Sequence, residues 1–257
     1  MIIAKPDTLL ENIRREIDAV DDALLDLVVR RFEATAKVRA TKQNDGTIVA
    51  SPLRPAREAS MLRRLIARAD GKISPELLVR LWRVILSMST QSQAPVVLHI
   101  DADLARDTNL RVSLAEHFCG MAIEVHQDAA KTFGALGQLK GDLVITRTTA
   151  PWAEHFADVS EMGARLIGCL PVIDGGQIPE LLIFGHAEPV PSGADETILI
   201  SRGTIMSGAC WQAPSGAWTI TCLPGFLSDG QALAASHGKG GVLIAGRYPR
   251  PIEVTSS

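Results

Sequence analysis

The chain has 257 residues, 46% of them hydrophobic and 21% charged, with a formal net charge of −3; that is long for one domain, comfortable for two and enough to bury ordinary cores. No apolar run reaches the roughly 18 to 20 residues of a membrane span, and the first residues lack a secretion signal's basic region, apolar stretch and small-residue cleavage site, so a cytoplasmic location is expected. Four cysteines (Cys119, Cys169, Cys210 and Cys222) stand far apart with no Cys-x-x-Cys and no histidine at ligand spacing, which argues for plain reduced thiols against a disulfide framework or a zinc site.

The first third of the chain reads as three helices. Over 10–42, Leu10, Ile13, Ile17, Val20, Leu24 and Leu27 advance by three or four, and the same stripe continues through Arg31, Thr35, Val38 and Lys42. A cation on a buried stripe is costly unless an anion meets it, so either the bundle contains an ion pair or it binds an anion. Asp45-Gly46 and two prolines then break the chain. A short helix over 55–69 starts at Pro55 and stops at Asp70-Gly71, and Ser74-Pro75 opens a third helix whose stripe of Leu77, Leu78, Leu81, Trp82, Ile85 and Leu86 runs on into Ser89 and Gln93. A first helix of about 30 residues, about 45 Å long, outruns its companions and would leave its stripe half uncovered. Pairing with a second copy is the simplest cure, and a homodimer is expected.

At Gln91-Ser92-Gln93-Ala94-Pro95 the composition changes. Residues 1–95 hold 16 Lys and Arg against 12 Asp and Glu, whereas 96–257 hold 10 against 17, together with all six histidines and most of the glycines. A boundary there gives a helical domain over 1–95 and a second domain over 96–257. The second alternates apolar strands at 96–100, 122–126, 142–146, 165–172, 180–184, 197–201, 218–222 and 241–245 with helices at 110–118, 129–139 and 152–162, which predicts an α/β domain with a mainly parallel sheet. Asp174-Gly175-Gly176 reads as a hairpin turn, and His237-Gly238-Lys239-Gly240-Gly241 has neither dinucleotide-fold nor P-loop spacing. The scattered histidines read as surface or core residues, and an acidic domain with few clustered aromatics argues against nucleic-acid binding.

The chemistry concentrates in the helical part. Arg31, Lys42, Ser89 and Gln93 intrude on inward stripes, Arg14 lies beside the first of them, and Arg57 and Glu58 start the short helix. Residues 1–95 contain no Cys or His, so nucleophile-with-base and metal catalysis have little to work with. Guanidinium groups clamp carboxylates, a lysine and an amide stabilise a developing oxyanion, and a glutamate takes a hydroxyl's hydrogen bond. Such a set suits a small dianion with a hydroxyl that rearranges without covalent help.

These residues and spacings closely resemble the all-helical chorismate mutase family. The resemblance runs over about 8–93 and rests on Ile13-Arg14-Arg15-Glu16-Ile17-Asp18 with Asp21, the 25–31 stretch, Lys37-Val38-Arg39-Ala40-Thr41-Lys42, Pro55-Ala56-Arg57-Glu58 and Ser89-Thr90-Gln91-Ser92-Gln93. It implies an intertwined dimer of three-helix chains with chorismate as substrate and no cofactor or metal. It implies further that Arg31, and Arg14 reaching across from the partner subunit, hold the two carboxylates, and that Lys42 and Gln93 donate to the ether oxygen. Glu58, supported by Arg57, and Ser89 complete the contacts to the ring hydroxyl and a carboxylate. Arg54 departs from the pattern, standing where many relatives place an aspartate near the hydroxyl.

The second domain looks distantly like the two-lobed, periplasmic-binding-protein-like dehydratase domain of fused mutase/prephenate dehydratases. The likeness is one of element order and length. The dehydratase Thr-Arg-Phe signature is met only by Thr146-Arg147-Thr148, which lacks the phenylalanine, and the strand at Thr197 does not spell it. The resulting expectation is a multidomain chorismate mutase with an accessory α/β domain. The alternatives are a bifunctional mutase/dehydratase, an isochorismate-pyruvate lyase on the same scaffold, disfavoured because Glu58 fits the mutase pattern, and an aromatic amino-acid sensor with an inactive mutase domain.

Overall fold

A computed structural model describes residues 6–44, 52–138, 141–173, 176, 178–202, 208–235 and 241–254, with side chains throughout except at 6–7, 39, 41–44 and 137–138. The chain divides into two compact units, Met1–Val49 and Ala50–Ser257.

The first unit is one helix, α1 (Pro6–Asn44), of 39 residues; at 1.5 Å per residue it is about 58 Å long. The predicted stripe is present as a continuous face, and in the single chain Leu10, Ile13, Ile17, Val20, Leu24, Leu27 and Val38 are all exposed. Arg31 and Thr35 are half-buried, and the Thr35 hydroxyl donates to the Arg31 carbonyl at 3.1 Å.

The second unit begins with α2 (Pro55–Ala69) and α3 (Pro75–Gln91). Proline opens each helix, where its missing N–H is no loss. Asp70 ends α2 in the left-handed region at φ 51°, and Ser74 caps α3 by accepting from the Leu77 N–H at 3.2 Å. The buried face of α3 coincides only in part with the predicted stripe, of which Leu78, Leu86 and Ser89 are buried. Leu78, Val79, Arg83, Leu86 and Ser87 point inward, while Leu77, Leu81, Val84 and Met88 are exposed.

After α3 come β1 (Val97–Asp101), α4 (Ala102–Arg106), α5 (Thr108–His117), β2 (Ala122–His126), α6 (Ala129–Gln138), β3 (Leu143–Arg147), α7 (Ala153–Ser160), β4 (Arg165–Leu170), β5 (Leu181–Gly185), β6 (Asp195–Ser201), β7 (Trp211–Ser215), β8 (Trp218–Pro224), α8 (Asp229–Ala235) and β9 (Val242–Pro249). Among the described residues the strands form one nine-stranded sheet in the order β2-β1-β3-β5-β4-β9-β6-β8-β7. The expected mainly parallel sheet is in fact mixed. β1 pairs in parallel with β2 and β3, and β4 with β9, while the other five pairings are antiparallel. The reason lies in the connections: β7 and β8 are joined through Gly216-Ala217, far too short for a crossover helix, and β4 and β5 are likewise antiparallel neighbours in sequence. Asp174 and Gly175 of the expected hairpin turn, and residues 237–240 of the glycine-rich stretch, lie outside the described residues.

Strand β7 escapes sequence reading because it contains Pro214, and the fold tolerates that proline by placing β7 at the sheet edge. Gly246 on β9 lies against Leu166 of β4, so close that a Cβ there would meet the Leu166 carbonyl oxygen at 2.0 Å. The main core gathers Phe133, Trp152, Phe156 and Phe184, with ring centroids 5.0 to 6.0 Å apart. A second cluster packs Leu104, Leu110, Leu114 and Phe118 against Leu98 and Ile100.

Helices α2 and α3 are fastened to the sheet within this unit. The Arg63 guanidinium donates to Ser192 Oγ at 3.0 Å, the Ala194 carbonyl at 3.0 Å and the Arg250 carbonyl at 2.8 Å. From α3, Ser87 Oγ donates to the His117 carbonyl at 3.1 Å and Gln91 Nε2 to the Cys119 carbonyl at 2.8 Å. Among the described residues no helix is long and apolar enough to cross a membrane.

Candidate active site

The seven residues singled out by the sequence fall on three helices. On α1, Arg14 is exposed and Arg31 half-buried, while Lys42 occupies the last turn and its side chain lies outside the described residues. On α2, Arg57 is exposed and Glu58 is buried. On α3, Ser89 is buried with its hydroxyl donating to the Ile85 carbonyl at 2.7 Å. Half-buried Gln93, just beyond the helix, donates from Nε2 to the Ser89 carbonyl at 3.1 Å, so these two are brought together at one helix end. Arg54 is exposed at the N-cap of α2 and makes no side-chain capping bond.

Glu58 has a partner that sequence reading missed. Its Oε2 accepts from Arg83 Nη2 at 2.8 Å, and the two side chains are only 11% and 7% exposed. Arg83 follows Val79 by four residues on the inward face of α3; a cation on an apolar stripe is the same signal that singles out Arg31, and the choice of face hid it. The pair borders a cavity of about 50 Å³ that Leu62, His117, Cys169 and Ile252 also line. Desolvation, and after it the charge of Arg83, holds His117 well below the ordinary imidazole range, so it adds no second cation there. Arg83 Nε is buried without a hydrogen-bond partner among the described residues.

A buried pair of this kind is costly to break and cheap to replace whole. Glu58→Ala is expected to destabilise the chain by about 3–5 kcal/mol through the orphaned guanidinium, and Glu58→Met with Arg83→Met by much less. Urea denaturation of the two variants checks this.

In the sheet, the near match to the dehydratase signature is engaged elsewhere. Arg147 Nη2 donates to Asp107 Oδ2 at 2.7 Å, and this bond, ahead of the backbone donors, holds Asp107 below the usual carboxylate range. Thr148 Oγ1 donates to the Pro179 carbonyl, and Thr197 Oγ1 donates to the Gly225 carbonyl at 2.7 Å while accepting from the Leu227 N–H at 3.1 Å. Thr146 Oγ1 is buried without a hydrogen-bond partner among the described residues.

All seven residues lie within one span that matches a known family model. Residues 13–94 match the family model described as chorismate mutase type II. A protein of Enterobacter agglomerans called "T-protein" is 40% identical over 86 residues, 33% of this chain, and the chain spans 22% of that relative's length. Among solved structures, one described as "GqqA- a novel type of quorum quenching acylases" matches 60% of this chain and 94% of its own at 16% identity, with a TM-score of 0.40. The prephenate dehydratase from Streptococcus mutans matches 60% of this chain and 98% of its own at 10% identity, with a TM-score of 0.37. The chorismate mutase type II match takes in α1 from the first compact unit and α2 and α3 from the second.

Proposed function

We propose that the chain is a chorismate mutase that converts chorismate to prephenate by Claisen rearrangement in aromatic amino-acid biosynthesis, acting in the cytoplasm without metal or cofactor. The single observation that carries this reading is the family match over 13–94, within which Arg14, Arg31, Lys42, Arg57, Glu58, Ser89 and Gln93 all lie. In this reading residues 1–95 are the functional mutase domain and 96–257 an accessory domain.

The rearrangement needs no proton transfer and no covalent intermediate. Arg31 and a partner subunit's Arg14 hold the two carboxylates, which selects the compact conformer in which the new carbon–carbon bond forms. As the ether bond breaks, negative charge grows on its oxygen, and Lys42 Nζ with the Gln93 amide meets it. Glu58, with Arg57 beside it, takes the ring hydroxyl, and Ser89 a carboxylate. A millionfold acceleration requires about 8 kcal/mol, which preorganisation and electrostatic support supply together.

The exposed apolar face of α1 supports a homodimer. Each Leu or Ile covered there contributes about 1.5–3 kcal/mol, and an amphipathic helix gains its stability chiefly from such cover. Arg14→Ala and Arg31→Ala are each expected to be nearly inactive. Mixed and allowed to exchange, they should recover about a quarter of wild-type activity, because half the dimers are mixed and each mixed dimer holds one intact site. Activity that stays at the level of the separate variants rejects the crossing of Arg14.

The reaction itself is tested by giving purified protein chorismate and following prephenate and phenylpyruvate separately. Prephenate alone supports the reading; phenylpyruvate above the acid-catalysed background makes the accessory domain a dehydratase, and salicylate from isochorismate makes the protein a lyase.

A further inference from the structure

Three donor atoms outside the helical site converge on the sheet edge at β1 and β2. His99 Nδ1 and His126 Nε2 stand 2.8 Å apart, and the Glu124 carboxylate lies 3.9 Å from the first and 3.8 Å from the second. Behind them Asp142 accepts from the Val97 N–H at 2.9 Å through Oδ1 and faces His99 Nε2 at 3.2 Å through Oδ2. That carboxylate fixes the tautomer of His99, with the proton on Nε2 and the lone pair of Nδ1 turned toward His126. Parallel pairing of β1 with β2 brings His99 level with Glu124, and the two-residue period of β2 puts Glu124 and His126 on one face.

From this geometry we propose that His99, His126 and Glu124 form a binding site for a borderline divalent cation of the Zn(II) class, with Asp142 as the carboxylate that orients His99. Two imidazoles and a carboxylate, with one histidine backed by a second carboxylate, form a donor set suited to such ions and leave a fourth position for water. Tetrahedral zinc with bonds of about 2.0–2.1 Å needs ligand atoms about 3.4 Å apart. The observed separations bracket that value, and opening the close nitrogen pair while drawing in Glu124, each by about half an ångström, reaches it. On binding, the proton on His126 Nε2 moves to Nδ1 of the same ring, so that both imidazoles ligate in their neutral forms. Burial is graded to suit: the His99 side chain is 2% exposed, that of His126 17% and that of Glu124 60%, so the rear ligand is rigid and the front one open to solvent. Glu196, Cys210 and Cys222 form a second group of compatible size, but burial, and after it the charge of Glu196, pushes the Cys222 thiol far up and disfavours the thiolate a metal needs.

The full chain, stripped with a chelator and dialysed, is titrated with Zn(II) by calorimetry and with Co(II) by visible absorption. One equivalent should bind, and bound Co(II) should show four-coordinate d–d bands without thiolate charge transfer. Saturating Zn(II) should also raise the melting temperature. His126→Gln, at a partly exposed position that spares the core, should abolish the Co(II) bands, and Asp142→Asn should weaken binding by about 10- to 100-fold. Absence of binding, or binding that survives His126→Gln and disappears when Cys210 is alkylated, overturns the proposal.

Discussion

Lys42→Ala is expected to lower the turnover of chorismate at least a hundredfold, with the helical content and the state of assembly unchanged. Removing one donor from a developing oxyanion costs on the order of 10²–10³ in rate, or about 2.7–4 kcal/mol. The competing role for a lysine in the last turn of α1 is to favour the negative end of the helix dipole, and that contributes only about 0.3–1 kcal/mol to stability. The two readings therefore separate on the rate axis. Circular dichroism and sedimentation alongside steady-state kinetics check it; turnover within a factor of three of wild type puts the ether oxygen's donor elsewhere.

Gly246→Ala should be the most damaging glycine-to-alanine change among the described residues. The added carbon would lie 2.0 Å from the Leu166 carbonyl oxygen, 2.7 Å from its nitrogen and 2.8 Å from its carbonyl carbon, all backbone atoms that no side-chain rotation can move aside. Strand β9 joins β4 on one side to β6 on the other, so opening the β4–β9 contact splits the sheet near its middle. The expected loss exceeds about 4 kcal/mol, in the range where a domain of ordinary stability fails to fold. Soluble yield and urea denaturation read this out, and a variant within about 1 kcal/mol of wild type would reject the close approach of these two strands.

The sequence is readable where period and punctuation agree. Pro55, Asp70-Gly71 and Ser74-Pro75 mark the ends of α2 and α3 because each residue has one local job that neighbours do not override. The α1 stripe is equally plain, since its apolar positions advance by three or four along one unbroken helix. Strand direction is different in kind: it depends on connection length and on what pairs with what, so apolar runs alone suggested a parallel sheet where five of eight pairings are antiparallel. The short elements α4 and α8 carry too few turns for a periodic signal.

The same division holds for the candidate sites. Arg31 stands out in sequence because a cation interrupts apolar positions, but Arg83 did not, because the predicted stripe took in the exposed Leu77 and Leu81 and passed over the buried Val79 and Arg83. The His99–His126 pair was invisible for a plainer reason. Twenty-seven residues separate the two, and only the parallel register of β1 on β2 brings them together.

The central claim is that this chain accelerates the rearrangement of chorismate. The most direct measurement is the rate of chorismate consumption by the purified full chain, with Arg31→Ala in parallel. A wild-type rate some millionfold above the spontaneous reaction, collapsing in Arg31→Ala, is the predicted result. Consumption no faster than in buffer, or a rate that the loss of Arg31 leaves intact, would contradict it.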